Sequence, residues 1–259
     1  MAAESRPGMF GLRRTPVITI ALIAIIVVVW AFGLLPAQPN AQAPVNRVER
    51  NNVWFIEYGA IPCELTGRCA NQRGTASIGS QFDMTPATVR ISVPARPPVL
   101  TLFTSLFLHG GFLHLAFNML FLWIYGRVIE DAMHPLAFVS FYLLTGVIAT
   151  LGQAIAASGA GSPIIGASGA IAGLIGGYLA LYPRSRQFSA HYFMWIGAGV
   201  WGLLELVATW RGLLAPGALD GGIAYVAHVV GFVFGFATVR WFADRRNVAY
   251  DEPSVDAPE

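Results

Sequence analysis

Six predominantly apolar runs, each close to the length a helix needs to cross a bilayer, constrain this chain more than any other feature. A hydrocarbon core of roughly 30 Å takes about 20 residues at a rise of about 1.5 Å each. The first run, Pro16 to Leu35 (PVITIALIAIIVVVWAFGLL), carries no charge at all. The others fall at about Phe112 to Ile129, Leu136 to Ala157, Ala167 to Tyr182, Tyr192 to Thr209 and Gly222 to Trp241. Composition agrees, because only 12% of the 259 residues are charged whereas soluble domains carry about a quarter. The expected fold class is therefore all-α, a polytopic membrane protein with six transmembrane helices and the lipid bilayer as solvent. A net charge of +2 without any basic run excludes nucleic acid as a partner.

The organisation follows from where the charge lies. Residues 1–15 form a short N-terminus, 16–241 a membrane domain with a long polar loop at about 36–111, and 242–259 a polar tail. The first run exceeds the roughly 7–15 residues of a signal-peptide core, so it reads as a span although AQA at Ala41 to Ala43 resembles a cleavage site. The two ends and the short turns at Arg127 and at Arg184 and Arg186 hold nine arginines on one side, against Arg211 alone in the opposite short loops. The long loop's six arginines count for little, because long segments translocate largely regardless of charge. Both termini are thus expected in the cytoplasm and the long loop outside, as in a bacterial inner membrane. Cys63 and Cys69 both lie in that loop, where an oxidising compartment would permit a disulfide that sequence alone does not decide. Two cysteines with no nearby histidine do not make a zinc site.

Polar side chains at membrane depth are costly, so each is a candidate for function. Five stand out: His114, Asn118, Ser168, Glu205 and His228. The fourth run reaches only about 22 Å from its cytoplasmic end, so its N-terminus stops inside the membrane, with Ser168 roughly 8 Å below the outer surface. Counted from the outside, His228 is about 9 Å deep, and His114 and Asn118 about 3 and 9 Å. Four of the five therefore share one layer. His114 and Asn118 are four apart and stack on one helix face. His228, Gly231 and Gly235 share a face on the sixth run, and the fourth carries Gly169, Gly173 and Gly177, small residues that let helices approach closely. Ser168 lies about 100° round from that stripe, so its meeting with His228 is an inference rather than a consequence of the pattern.

The chemistry needs these residue types. A serine hydroxyl is a weak nucleophile until an adjacent base takes its proton, and histidine titrates in the right range. A helix N-terminus offers unpaired N–H groups to the oxyanion formed when a carbonyl is attacked, and His114 and Asn118 supply side-chain donors. With no acid at the same depth, Ser168 and His228 read as a dyad. Taken singly, each residue has a structural reading as a cap, a packing position or an interhelical hydrogen bond. Four at one depth on three helices are hard to assign to packing. Glu205 is better read as a structural hydrogen bond or a residue near the interface than as catalytic, His109 as a residue approaching the site from the loop, and His134 and His191 as ordinary cytoplasmic-end residues.

These residues resemble the rhomboid family of intramembrane serine proteases. The matches are HGGFLHLAFN from His109 to Asn118, GASGA from Gly166 to Ala170 and AHVVGFVFG from Ala227 to Gly235, all in the family's order, with EYGAIPCEL from Glu57 and GRVIED from Gly126 as further segments. The resemblance covers about Glu57 to Trp241. It implies Ser168 as nucleophile, His228 as general base, and His114, Asn118 and the Ser168 backbone N–H as oxyanion hole, with Gly166 shaping the loop before the serine. Some members place an aromatic residue four after the serine to stack on the histidine; here that position is Ala172. The implied activity is hydrolysis of a peptide bond in or next to a transmembrane segment of another membrane protein, without metal or other cofactor. Water and substrate are expected to enter past the fifth run and the Pro216 to Gly222 loop. Rival readings are a metalloprotease, which would need the absent H-E-x-x-H, a transporter, which would show repeats or paired broken helices, and a non-catalytic client-binding member.

Overall fold

The computed structural model describes residues 12, 14–34, 54–69, 75–80, 83–90, 97–182, 194–203, 207 and 224–244. A helix lies in each of the six apolar runs: α1 (Val17–Leu34), α4 (Phe112–Phe121), α6 (Pro135–Ala156), α7 (Ser168–Leu181), α8 (Met194–Leu203) and α9 (Tyr225–Phe242). Between α1 and α4 come a single helical turn at 54–58 and two further short helices, α2 (Pro62–Thr66) and α3 (Pro98–Thr104), the latter continued by a 3-10 turn at Ser105–Phe107. After α4 the chain runs through a π turn at Leu122–Gly126 into α5 (Arg127–Asp131), so that Phe112–Asp131 is one helical stretch. This stretch, α6 and α9 are long and apolar enough to cross a membrane. At 14 residues α7 spans about 21 Å and falls short of the core thickness.

Local sequence explains the boundaries. Proline occupies the first helical position of α2, α3 and α6, where its missing N–H costs nothing and its fixed φ suits the helix. Gly67 closes α2 in the left-handed conformation at φ 69°. The first turn of α1 has no acid of its own, and Glu130 at the end of the α4–α5 stretch serves it from a distance. The Glu130 carboxylate accepts the backbone N–H groups of Ile18 and Thr19 and the Thr19 hydroxyl at 2.7–2.9 Å. A carboxylate there also meets the positive end of the helix dipole.

The long polar loop adds something the all-α expectation lacked, an antiparallel hairpin of β1 (Thr75–Ser80) and β2 (Asp83–Arg90), paired from Thr75 with Arg90 to Ser80 with Asp83. Its register shifts between Ile78 and Ser80, opposite the stretch holding Pro86, which has no N–H to give a ladder. No strand lies within the described residues of the six apolar runs.

The interior is built around Tyr125, Phe138, Phe141, Tyr142, Leu174 and Tyr178, all fully buried. The outside is apolar as well, with Phe112, Leu136, Ile155, Val233 and Trp241 exposed. Large apolar side chains on both faces of long helices belong to an integral membrane protein, whose outer surface meets lipid instead of water. At the centre α7 packs against α9 and α6. A methyl group on Gly231 would land on the Gly169 carbonyl, one on Gly235 on the Gly173 backbone, and one on Gly176 on the Phe232 carbonyl. The two glycine faces expected to meet therefore do meet, at backbone-to-backbone range.

Candidate active site

The loop ahead of α7 is pinned before the helix begins. Ile164 pairs with Ala60 of the long polar loop by two backbone hydrogen bonds of 2.8 and 3.1 Å, and the Gly166 N–H donates to the Ser105 carbonyl at 2.9 Å. Gly166 has φ 119°, a conformation that a side chain would strain. Space demands glycine there too, since a Cβ would lie 2.9 Å from His114 Nε2 and 3.7 Å from Ser168 Oγ. The same point is thus flanked by an imidazole from α4 and a hydroxyl from α7.

Ser168 follows as the first residue of α7, half-buried, behind an Ala167 cap that offers no side-chain hydrogen bond. The first N–H groups of a helix have no partner within it, so those of α7 point at whatever the serine holds. From α9, His228 reaches across with 5% exposure, and its Nε2 lies 2.7 Å from Ser168 Oγ. The glycine contacts explain how a serine offset from the stripe is reached. The helices sit so close at Gly169 and Gly231 that an imidazole one turn earlier on α9 spans the remaining distance.

His114 and Asn118 occupy successive turns of α4, with Asn118 buried and His114 half-buried. Asn118 Nδ2 donates one hydrogen to the His114 carbonyl at 2.7 Å, which orients the carboxamide and leaves its second N–H. His109 Nε2 takes a long hydrogen bond of 3.5 Å from the Ala167 N–H, and its ring meets His114 edge-on at 5.0 Å. Burial, followed by the neighbouring His114, pushes the His109 pKa down to about 3, so this ring is neutral and can accept.

Four of the five polar residues singled out in the sequence, His114, Asn118, Ser168 and His228, come from three helices to one region, together with Gly166, Gly169, Gly231 and Gly235. Glu205, His191 and the Pro216 to Gly222 loop lie outside the described residues. His134 caps α6. Two neighbours went unnoticed. Gln153 of α6, 3% exposed, accepts the Ala227 N–H at 3.3 Å and so holds the turn of α9 that carries His228. It is polar at membrane depth and would have been found by the test applied to the other five. Trp201 of α8 meets the His228 ring with centroids 6.0 Å apart, and an aromatic residue in an apolar run gives no such signal.

A Rhomboid domain model matches residues 96–245, more than half of the chain. The chain belongs to the rhomboid family. It is 32% identical over 145 residues to Rhomboid-like protease 5 of Toxoplasma gondii, a stretch that is 52% of this chain and 16% of that protein. It is 28% identical over 141 residues to the mitochondrial Rhomboid protein 1 of Saccharomyces cerevisiae, 52% of this chain and 40% of the relative. A putative rhomboid protease of Bacillus subtilis is 34% identical over 82 residues, 30% of this chain and 39% of that one. The chain therefore spans less than half the length of each of these relatives.

Proposed function

We propose that this rhomboid-family protein is a serine endopeptidase that cleaves other membrane proteins in or near their transmembrane segments. The observation that carries the reading is the 2.7 Å contact between Ser168 Oγ and His228 Nε2 at the start of α7. In this reading His228 Nε2 takes the Ser168 proton as Oγ attacks the scissile carbonyl carbon. The oxyanion is met by the Ser168 N–H, Asn118 Nδ2 and His114. The imidazolium then gives its proton to the leaving amine, the peptide C–N bond breaks, and an acyl-enzyme remains. Water, losing a proton to His228, attacks that ester; the acyl C–O bond to Ser168 breaks, Oγ takes the proton back from His228, and the new carboxyl end is freed. No cofactor is needed for any step, because the helix N-terminus and neutral donors supply the stabilisation that a metal supplies elsewhere.

The proposal extends to topology: a membrane domain over residues 16–241 with six spans, a polar tail at 242–259, and both termini in the cytoplasm. The arginine distribution supports the orientation. The relatives come from an apicomplexan, a yeast mitochondrion and a bacterium, so a bacterial inner membrane rests on the arginines and not on kinship.

The test is cleavage of a reconstituted single-span substrate together with attachment of a fluorophosphonate. Ser168→Ala and His228→Ala should each abolish both. His114→Ala and Asn118→Ala should each lower kcat on the order of 10²–10³-fold, the usual cost of one oxyanion donor. Full residual cleavage in Ser168→Ala would sink the dyad, and a protein that binds single-span clients but never cleaves them would favour a non-catalytic member.

A further inference from the structure

We infer that Trp201 is a positioning residue for His228, so that the dyad is assembled by a third helix, α8, which holds neither of its members. The inference rests on the dyad reading above. A general base works only if its ring is held within roughly 0.5 Å and 10–20° of the productive geometry, and a hydrogen bond to the serine does not by itself fix the plane of the ring. His228 meets Ser168 through Nε2, and the Trp201 ring lies 6.0 Å from the imidazole with the planes inclined at 51°. That separation falls in the range where aromatic pairs attract beyond their buried area.

The nucleophile's own helix has nothing to offer in its place. Ala172, one turn beyond Ser168, is a fully buried methyl, and α7 carries no aromatic residue before Tyr178. Trp201 is itself held. It packs on Phe232, one turn past His228, at 6.3 Å, and Phe232 stacks in turn on Phe236 at 6.4 Å with planes 17° apart. The other end of α8 is fastened by two hydrogen bonds. Tyr125 Oη, on the π turn, donates to the Met194 carbonyl at 2.8 Å, and Trp195 Nε1 donates to the Tyr182 carbonyl at 3.2 Å. The position of α8 is therefore transmitted to the base through the Trp201 ring, and unseating α8 disturbs the imidazole without touching the serine.

The test uses the full chain in proteoliposomes, with a fluorogenic single-span substrate and a fluorophosphonate probe. Trp201→Phe keeps a ring face, Trp201→Leu keeps apolar bulk without one, and Trp201→Ala keeps neither. Trp201→Leu and Trp201→Ala should lower kcat and the limiting rate of Ser168 labelling by about tenfold, with KM changed less than about twofold. Trp201→Phe should stay within about threefold of wild type. Wild-type kcat in Trp201→Leu would overturn the inference, as would a Trp201→Phe as slow as Trp201→Ala, or a loss carried by KM. Should Trp201→Ala fail to fold, the Phe and Leu pair still decides, since both fill the space. Labelling that survives Ser168→Ala would show the dyad reading itself to be wrong, and the inference would fall with it.

Discussion

The imidazole of His109 has the most unusual electrostatic environment of any described residue outside the spans. It is 3% exposed, faces a second imidazole, and accepts the backbone N–H of Ala167 directly before the serine. Its folded pKa of about 3 stands below the ordinary 6.5, so the unfolded chain binds a proton here that the folded chain does not. Stability from this group is full above about pH 6.5 and falls as the pH drops toward 3. Thermal unfolding in detergent should therefore show a midpoint that declines over that window more steeply in wild type than in His109→Gln. Equal slopes would mean that His109 is protonated in the fold and cannot accept from Ala167. The same residue illustrates what a sequence shows at this scale. Its proximity to the site was legible from its spacing before His114, whereas its acceptor role depends on a loop held in place by the distant residues Ala60 and Ser105.

Between helices the decisive contact is the glycine seam of α7 and α9. Both stripes were legible as small residues at helical spacing, because a bilayer leaves few other reasons for glycine in the middle of a span. Gly176, which meets the Phe232 carbonyl, was not, since the stripe on one helix does not say which residues of another cross it. A methyl at position 235 would collide with the Gly173 backbone, which has no rotamer to give, and overpacking of this kind costs about 1–3 kcal/mol. Because His228 rides two turns earlier on the same helix, a shift of α9 also opens the 2.7 Å contact. Gly235→Ala should thus lose both thermal stability and fluorophosphonate labelling. Gly199→Ala on α8 should keep both, because a Cβ there meets nothing within 4 Å. A Gly235→Ala protein that labels at the wild-type rate would show that the seam packs the helices without aligning the dyad.

Taken whole, the molecule was legible where the membrane makes exceptions conspicuous. Apolar runs give the helices, and the few polar residues left inside them give the candidate site. Relations between elements were not legible: the hairpin within the polar loop, the Glu130 carboxylate capping a helix more than a hundred residues earlier, and the tryptophan against the histidine. Each depends on where two distant segments meet, which periodicity within one segment does not encode. Orientation is a whole-molecule property that the arginines predict directly, with nine in the N- and C-terminal side's short segments against one opposite. Expressed in the inner membrane of a bacterial host, the chain should keep a C-terminal tag protected from protease in intact spheroplasts, while a protease site inserted in the 36–111 loop is cut. The cysteines give a second reading of the same question. Cys63 and Cys69 are joined in the structure, six residues apart, with Cys63 buried against Ile56 and Ile61. A disulfide persists in an oxidising compartment and not in a reducing cytosol. Alkylation of intact cells before lysis should therefore find both thiols blocked by pairing. Free thiols together with an accessible C-terminal tag would place the loop in the cytoplasm and invert the entrance to the site.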